Sequence, residues 1–177
     1  MDELSALLRL LTRYLDDKEL FYVFTGELAL RMLGTASEVG SVELLANLTS
    51  DERARLLNFL QQEGFQTGSR WRGPIELRRK GGGPVLRLRL AGSAADMSTI
   101  GRRVPATLGY VNFFIPSYED LILKYVQEGG DGLRTCGRIY SRYRNYLDME
   151  YLVLAARERG VYGRFIKMKI RAERKNA

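Results

Sequence analysis

A chain of 177 residues with 45% hydrophobic content can bury one good core, and nothing in its composition suggests disorder or a repeat array. One cysteine, Cys136, cannot form an internal disulfide, and the lack of histidine rules out an ordinary zinc site, so any metal would be held by oxygen ligands. Lys and Arg outnumber Asp and Glu by 28 to 21, a formal charge of +7; this points to an anionic partner, nucleic acid first and an acidic protein face second, with a plain solvated basic surface as the alternative.

Leu4, Leu7, Leu8, Leu11 and Leu15 recur at helical spacing and predict an amphipathic helix over the first fifteen or so residues. Asp2, Glu3 and Arg9 interrupt that segment, and the chain has no apolar run of about eighteen residues. Neither a membrane span nor a secretory signal fits, so a cytoplasmic location is expected. Leu20 to Phe24 reads as a short buried strand, Gly26 permits a tight turn, and Leu28 to Leu33 predicts a brief helix closed at Gly34. Ser41 to Ala46 reads as the next strand, with Val42 and Leu44 on one face and Ser41, Glu43 and Leu45 on the other. That mixed second face suits a strand end at a cleft. Thr49 and Glu52 have capping-box spacing, followed by a helix face of Leu56, Leu57 and Leu60 that stops at Gly64.

From Phe65 to Ile115 the texture is of strands and turns. Ile75 to Lys80, the loop Gly81 to Pro84, and Val85 to Leu90 predict a hairpin, and Tyr110 to Ile115 a further strand. Pro116, Ser117 and Asp120 open a helix carrying Leu121, Ile122 and Tyr125. Gly129-Gly130-Asp131-Gly132 reads as a flexible joint. One long helix is then expected over Tyr140 to Arg159, with Tyr143, Leu147, Tyr151 and Leu154 inward, before Gly160 and a basic helix or tail over Tyr162 to Arg174. The expected fold class is α+β, a mixed sheet flanked by helices. It divides into a core at residues 1–115 and a helical region at 116–177 packed on it.

The stretch Phe24-Thr25-Gly26-Glu27 through Gly34 to Ser41-Val42-Glu43-Leu44-Leu45 resembles the minimal nucleotidyltransferase family, including its abortive-infection (AbiEii-like) branch. A second stretch, Ile115-Pro116-Ser117-Tyr118-Glu119-Asp120-Leu121-Ile122-Leu123-Lys124, is similar to the same family in the right order. In that family the turn reads Gly-Gly or Gly-Ser, a short helix ends in Gly, and the next strand opens with Asp-x-Asp. Here Glu27 stands for the second small residue, Ser41 for the first Asp and Glu43 for the second. The resemblance implies a nucleotidyltransferase-like scaffold with a depleted metal site.

Nucleotidyl transfer needs two divalent cations about 4 Å apart, gripped by carboxylates and by the substrate's phosphates. Ser41 offers only a hydroxyl, and the extra methylene of Glu43 displaces its carboxylate. In the family it resembles, a third carboxylate comes from a neighbouring strand, which the resemblance implies is Val85 to Leu90; that strand instead carries Arg87 and Arg89. No resident metal is therefore expected, and Ser41 and Glu43 are vestigial. Arg87 and Arg89 could instead grip a phosphate, with amides of the Gly26 turn assisting and Glu27 opposing; the alternative is an exposed strand face. The rival is an active enzyme in which Glu43 works with Glu38, Glu27 or Asp96 on magnesium. Nucleic acid is the expected ligand of a catalytically degenerate binding module, and a non-catalytic, antitoxin-like protein partner is the other possibility.

Three basic stretches are candidates for that ligand. Arg78-Arg79-Lys80 forms a charged hairpin tip. Arg138, Arg142 and Arg144 are interleaved with Tyr140, Tyr143 and Tyr146, a mixture that can stack on bases, or a helix with an inward Tyr face and a solvated Arg face. Lys167, Lys169, Arg171, Arg174 and Lys175 form a basic end. Cys136 has no histidine to activate it and is expected to be inert.

Overall fold

A computed structural model describes residues 2–36, 38–68 and 73–175, and the chain divides into two compact units, Met1–Ile115 and Pro116–Ala177. In the first unit, helix α1 (Glu3–Asp17) forms where the leucine stripe meets a cap. The Asp2 side chain accepts the Ser5 amide, and all five stripe leucines are buried. Each buried leucine contributes roughly 1.5–3 kcal/mol. Strand β1 (Phe21–Thr25) runs directly into α2 (Gly26–Met32), and Gly26 at φ 66° takes the left-handed backbone this abrupt junction needs. Strand β2 (Ser41–Asn47) leads to α3 (Ser50–Gln62), whose start is the reciprocal Thr49–Glu52 capping box. Tyr14 of α1 stacks on Phe59 of α3, with ring centroids 4.3 Å apart.

The remaining elements of this unit are β3 (Phe65–Thr67), β4 (Ile75–Arg79), β5 (Val85–Leu90), α4 (Ala94–Gly101), β6 (Val104–Leu108) and β7 (Val111–Ile115). Five strands form one mixed sheet in the order β1-β2-β5-β4-β3, while β6 and β7 pair separately. Only β2 and β5 run parallel, with Glu43 opposite Arg87; the other neighbours are antiparallel. Period-two alternation then sorts the side chains. Val42, Leu44, Ala46, Leu77, Leu86 and Leu88 are buried on one face. On the other, Val23 and Leu45 pack against Ile100 of α4, and the same face is polar nearer the start of β2.

Helix α4 corrects the expectation that Phe65 to Ile115 holds only strands and turns. Its apolar pattern is weak because Ile100 is its one buried residue, so periodicity does not reveal it. The usable signal is a capping box: Ser93 accepts the Asp96 amide at 3.1 Å and Asp96 accepts the Ser93 amide at 3.2 Å.

The second unit is helical: α5 (Tyr118–Glu128), α6 (Gly132–Tyr143), α7 (Met149–Glu158) and α8 (Tyr162–Lys175). Ser117 caps α5, as its spacing from Asp120 predicts. The glycine segment after α5 is a close-packed reversal and not a loose joint. The Gly132 amide donates to the Gly129 carbonyl at 2.8 Å, and a Cβ on Gly132 would lie 2.5 Å from the Tyr125 carbonyl oxygen.

The long helix expected over Tyr140 to Arg159 is broken. A 3-10 turn at Arg144–Tyr146 follows α6, and Leu147 is extended. The break is fixed by polar groups: Asp148 caps α7 by accepting the Tyr151 amide at 2.9 Å, and its own amide donates to the buried Glu119 carboxylate at 2.8 Å. The restart also rotates the inner face. Leu152, Ala155 and Ala156 are buried while Leu154 is 56% exposed. Among the described residues no helix is long and apolar enough to cross a membrane.

Candidate functional site

The register β1-β2-β5-β4 aligns Thr25, Glu43, Arg87 and Glu76 in one row across four strands. All four line a cavity of about 300 Å³ that also takes in Arg89 and Pro74. Thr25 donates its hydroxyl to Glu43 Oε2 at 3.0 Å. The Glu43 carboxyl lies over Gly26 so closely that a Cβ there would meet its Cδ at 2.6 Å. Gly26 is thus favoured twice, by its positive φ and by the approach of Glu43.

Arg87 sits directly across from Glu43. Its Nε donates to Glu76 Oε1 at 3.2 Å and its Nη1 to the Ser41 hydroxyl at 3.3 Å. Ser41 in turn points its hydroxyl at Glu27 Oε2, 3.4 Å away, and the same oxygen accepts the Gly40 and Ser41 amides at 2.8 and 2.9 Å. Glu27 therefore pins the start of β2 to α2. A polar chain runs from Glu27 through Ser41 and Arg87 to Glu76. Arg89 is held separately, donating from Nη1 to Asp96 Oδ1 at 2.6 Å. Burial raises the Asp96 pKa, but the Gly92 amide, the Arg89 guanidinium and the Ser93 hydroxyl outweigh it and hold the carboxyl below its usual range. The Arg87 and Arg89 side chains are part-exposed, so each of these pairs contributes at most about 1 kcal/mol.

Three solved structures share this architecture. Over 87% of the chain and 97% of the other, it superposes on the crystal structure of ANT(2")-Ia in complex with adenylyl-2"-tobramycin, with a TM-score of 0.62 and 14% identity. The solution structure of the antibiotic-resistance factor ANT(2'')-Ia matches over 90% of this chain and 94% of its own, at 0.60 and 14%. An antigenic nucleotidyltransferase-like protein from Paracoccidioides brasiliensis matches over 94% and 93%, at 0.56 and 14%. The fold is a nucleotidyltransferase fold. No family model and no curated protein matches the sequence, so the likeness extends to architecture alone.

Within this nucleotidyltransferase fold the sequence candidates separate into distinct groups. Gly26, Ser41, Glu43 and Arg87 come together, with Glu27 at one end of their network and Arg89 in the lining of the same cavity. Glu38 is exposed on the segment before β2, and Asp96 is engaged with Arg89. Among the described residues no group of three Cys, Asp or Glu side chains is disposed to hold a metal ion. Two residues of the row, Thr25 and Glu76, carry no signal in their own neighbourhood. Counting the hairpin back from a Gly81–Pro84 loop would set Glu76 opposite Arg89; the observed register is two residues tighter and sets it opposite Arg87.

The basic stretches lie elsewhere. Arg78, Arg79 and Lys80 are exposed at the hairpin tip, with Arg79 over the Phe65 ring at 5.9 Å and Arg78 4.0 Å from Glu76. Of the three tyrosines, Tyr140 is buried and donates to Glu173 at 2.9 Å, Tyr143 stacks on Tyr118 at 4.3 Å, and only Tyr146 is open, at 77% exposure. Arg138, Arg142 and Arg144 are exposed, so the inward-Tyr arrangement describes most of this stretch. Lys167 is exposed and Lys169 lies 3.9 Å from Glu173; the Lys175 side chain falls outside the described residues. Cys136 is buried, and burial pushes its thiol up to about 12.

Two adjacent acids stand outside the sequence candidates. Glu119 and Asp120 are both buried on α5. Asp120 accepts the Tyr151 hydroxyl at 2.9 Å, Arg159 Nη2 at 2.8 Å and the Ser117 hydroxyl at 3.0 Å. This network joins α5 to α7 and its end, and it accounts for the acids structurally.

Proposed function

We propose that this chain is a nucleotidyltransferase-like protein of the AbiEii-like kind that no longer transfers nucleotides and acts as a binding module for nucleic acid. One observation carries the catalytic half: the Arg87 guanidinium lies opposite Glu43, bonded to Glu76 and Ser41. A two-metal site needs converging carboxylates, and the donor set here does not fit it. Ser41 is neutral, Glu43 is turned onto Gly26 and bonded by Thr25, and a fixed cation occupies the row. A divalent ion a few ångströms from a guanidinium is repelled on the order of several kcal/mol before solvent screening. Arg87 thus supplies the positive charge that a metal would otherwise bring.

The binding half is supported by the +7 charge and by basic side chains clustered at the hairpin tip and on α6 and α8. The AbiEii-like assignment is supported by the two sequence stretches folding as β1-α2-β2 and as the Ser117-capped α5. A second reading, an active enzyme with an unusual ligand set, is favoured by Glu43 and Glu76 sharing one cavity.

Magnesium calorimetry followed by a labelled-nucleotide transfer assay separates the two readings. The wild type is expected to show no saturable heat up to millimolar magnesium and no transfer. A Ser41→Asp/Arg87→Asp variant, which restores carboxylates to the row, is expected to bind magnesium. Saturable binding by the wild type, with transfer lost in Glu43→Gln, would establish the enzyme reading instead.

A further inference from the structure

Helices α6 and α8 enclose a groove of about 1030 Å³ within the second unit. Arg134, Arg138 and Arg142 line it from α6 at four-residue intervals. From α8 come Arg164, Lys167, Arg171 and Arg174. Seven cations therefore line one groove, and among the described residues that line it there is neither a carboxylate nor an aromatic ring; Arg134 at one end is ion-paired with Asp131 just outside the lining, and Arg164 donates to the Gln127 carbonyl at 3.2 Å. Four residues of helix rise about 6 Å, so each wall is a ladder of positive charge comparable in repeat to the phosphates of an extended strand.

We infer that this groove is the seat of a single-stranded nucleic-acid segment, held by its phosphates; the inference rests on the binding half of the proposed function and gives it a location. Three physical arguments select this occupant. The volume lies at the upper limit of small-ligand pockets, about 300–1,000 Å³, and suits a stretch of polymer. Met168 and Ala172 on the floor are only 4% and 6% exposed, and Leu133 is the one part-exposed aliphatic residue of the lining, so an amphipathic acidic helix would find a single anchor there and not the row of anchors it needs. Cations carried on two helices in contact, with axes about 8–10 Å apart, converge on a single backbone, and a rigid duplex can present only its outer edge to such a groove. With no ring to stack on, bases have nothing to read them, so recognition is tolerant of sequence. The α6 ladder spans about 12 Å from Arg134 to Arg142, room for roughly three phosphates and a salt slope near −2 for a single strand.

The test is fluorescence anisotropy with labelled twelve-residue oligo-dT, oligo-rU and a mixed-sequence duplex, plus an acidic helical peptide, from 50 to 300 mM salt. The full chain is expected to bind both single strands with similar affinity, more tightly than duplex or peptide. Arg138→Glu/Arg171→Glu should weaken single-strand binding at least ~10-fold and flatten the salt slope by about 1.4. Arg9→Glu/Arg13→Glu, which changes net charge equally on α1, should leave the slope unchanged. The neutral pair Arg138→Gln/Arg171→Gln, checked by circular dichroism, guards against misfolding of the charge-reversed variant.

If the wild type binds strands but the α6/α8 variants are unaffected and Arg78→Glu/Arg79→Glu loses binding, the groove is refuted while the proposed function stands. If no oligonucleotide binds at 50 mM salt, the nucleic-acid reading falls with it. Tighter binding of the acidic peptide would overturn the inference in favour of a protein partner.

Discussion

Gly26 carries two constraints that can be measured apart. Its φ of 66° costs a residue with a side chain roughly 1–2 kcal/mol. The added Cβ would also press on the Glu43 carboxyl at 2.6 Å. Because that carboxyl is the tip of a flexible side chain, it can swing away and give up the Thr25 hydroxyl. Gly26→Ala should therefore lose about 1–2 kcal/mol in urea denaturation, and Glu43→Ala should cost less in the Gly26→Ala background than in the wild type. Additive losses would mean that Glu43 is not set by Gly26 at all. At this scale the sequence was a good guide to which residues meet, since Gly26, Ser41, Glu43 and Arg87 were all identifiable from strand alternation and a family resemblance. It was a poor guide to what they do there. Glu27 reads as an obstacle to an anion, yet it spends its carboxylate on the Gly40 and Ser41 amides. Such a bond depends on the path of the connecting chain, which local pattern does not contain.

Elements with a strong apolar stripe or a polar cap were legible: α1, α3 and the start of α5 lie where leucine spacing and capping pairs put them. Helix α4 lacks an apolar period because it buries one residue, whereas the break in the expected long helix is a boundary set by a contact distant in sequence. Between Tyr143 and Met149 nothing in the local sequence is a helix breaker as strong as proline or glycine. The break depends on Glu119, 29 residues earlier, accepting the Asp148 amide. The neighbouring Asp120–Arg159 pair is the strongest candidate for a large mutational effect, because the Asp120 side chain is fully enclosed and Arg159 nearly so. Removing one partner of a buried pair costs about 3–5 kcal/mol. Arg159→Leu should fall in that range by thermal or chemical denaturation, with Asp120→Leu/Arg159→Leu recovering much of it. Equal destabilisation in single and double variants would show that the charge itself is not what matters.

For the molecule as a whole, alkaline pH probes the second unit through α6. Burial, together with the bond to Glu173, pushes the Tyr140 hydroxyl up to about 12, and burial does the same to the Cys136 thiol. Both groups are raised in the folded chain, so the folded state holds protons that the unfolded state releases. Their contribution is complete below the ordinary values near 9–10 and is lost as pH rises toward 12. Stability should therefore decline across that window, and Tyr140→Phe with Cys136→Ala should flatten the decline in a pH series of denaturation midpoints. An unchanged profile would assign alkaline sensitivity to other groups.

The span of the Asp120–Arg159 bond also bears on synthesis. As the chain leaves the ribosome, α5 emerges with a carboxylate whose cation is still 39 residues away. Until Arg159 arrives, enclosing α5 would bury the Asp120 carboxylate without its cation, which disfavours piecemeal closure of the second unit. The strands before residue 116, by contrast, find their pairing partners among themselves.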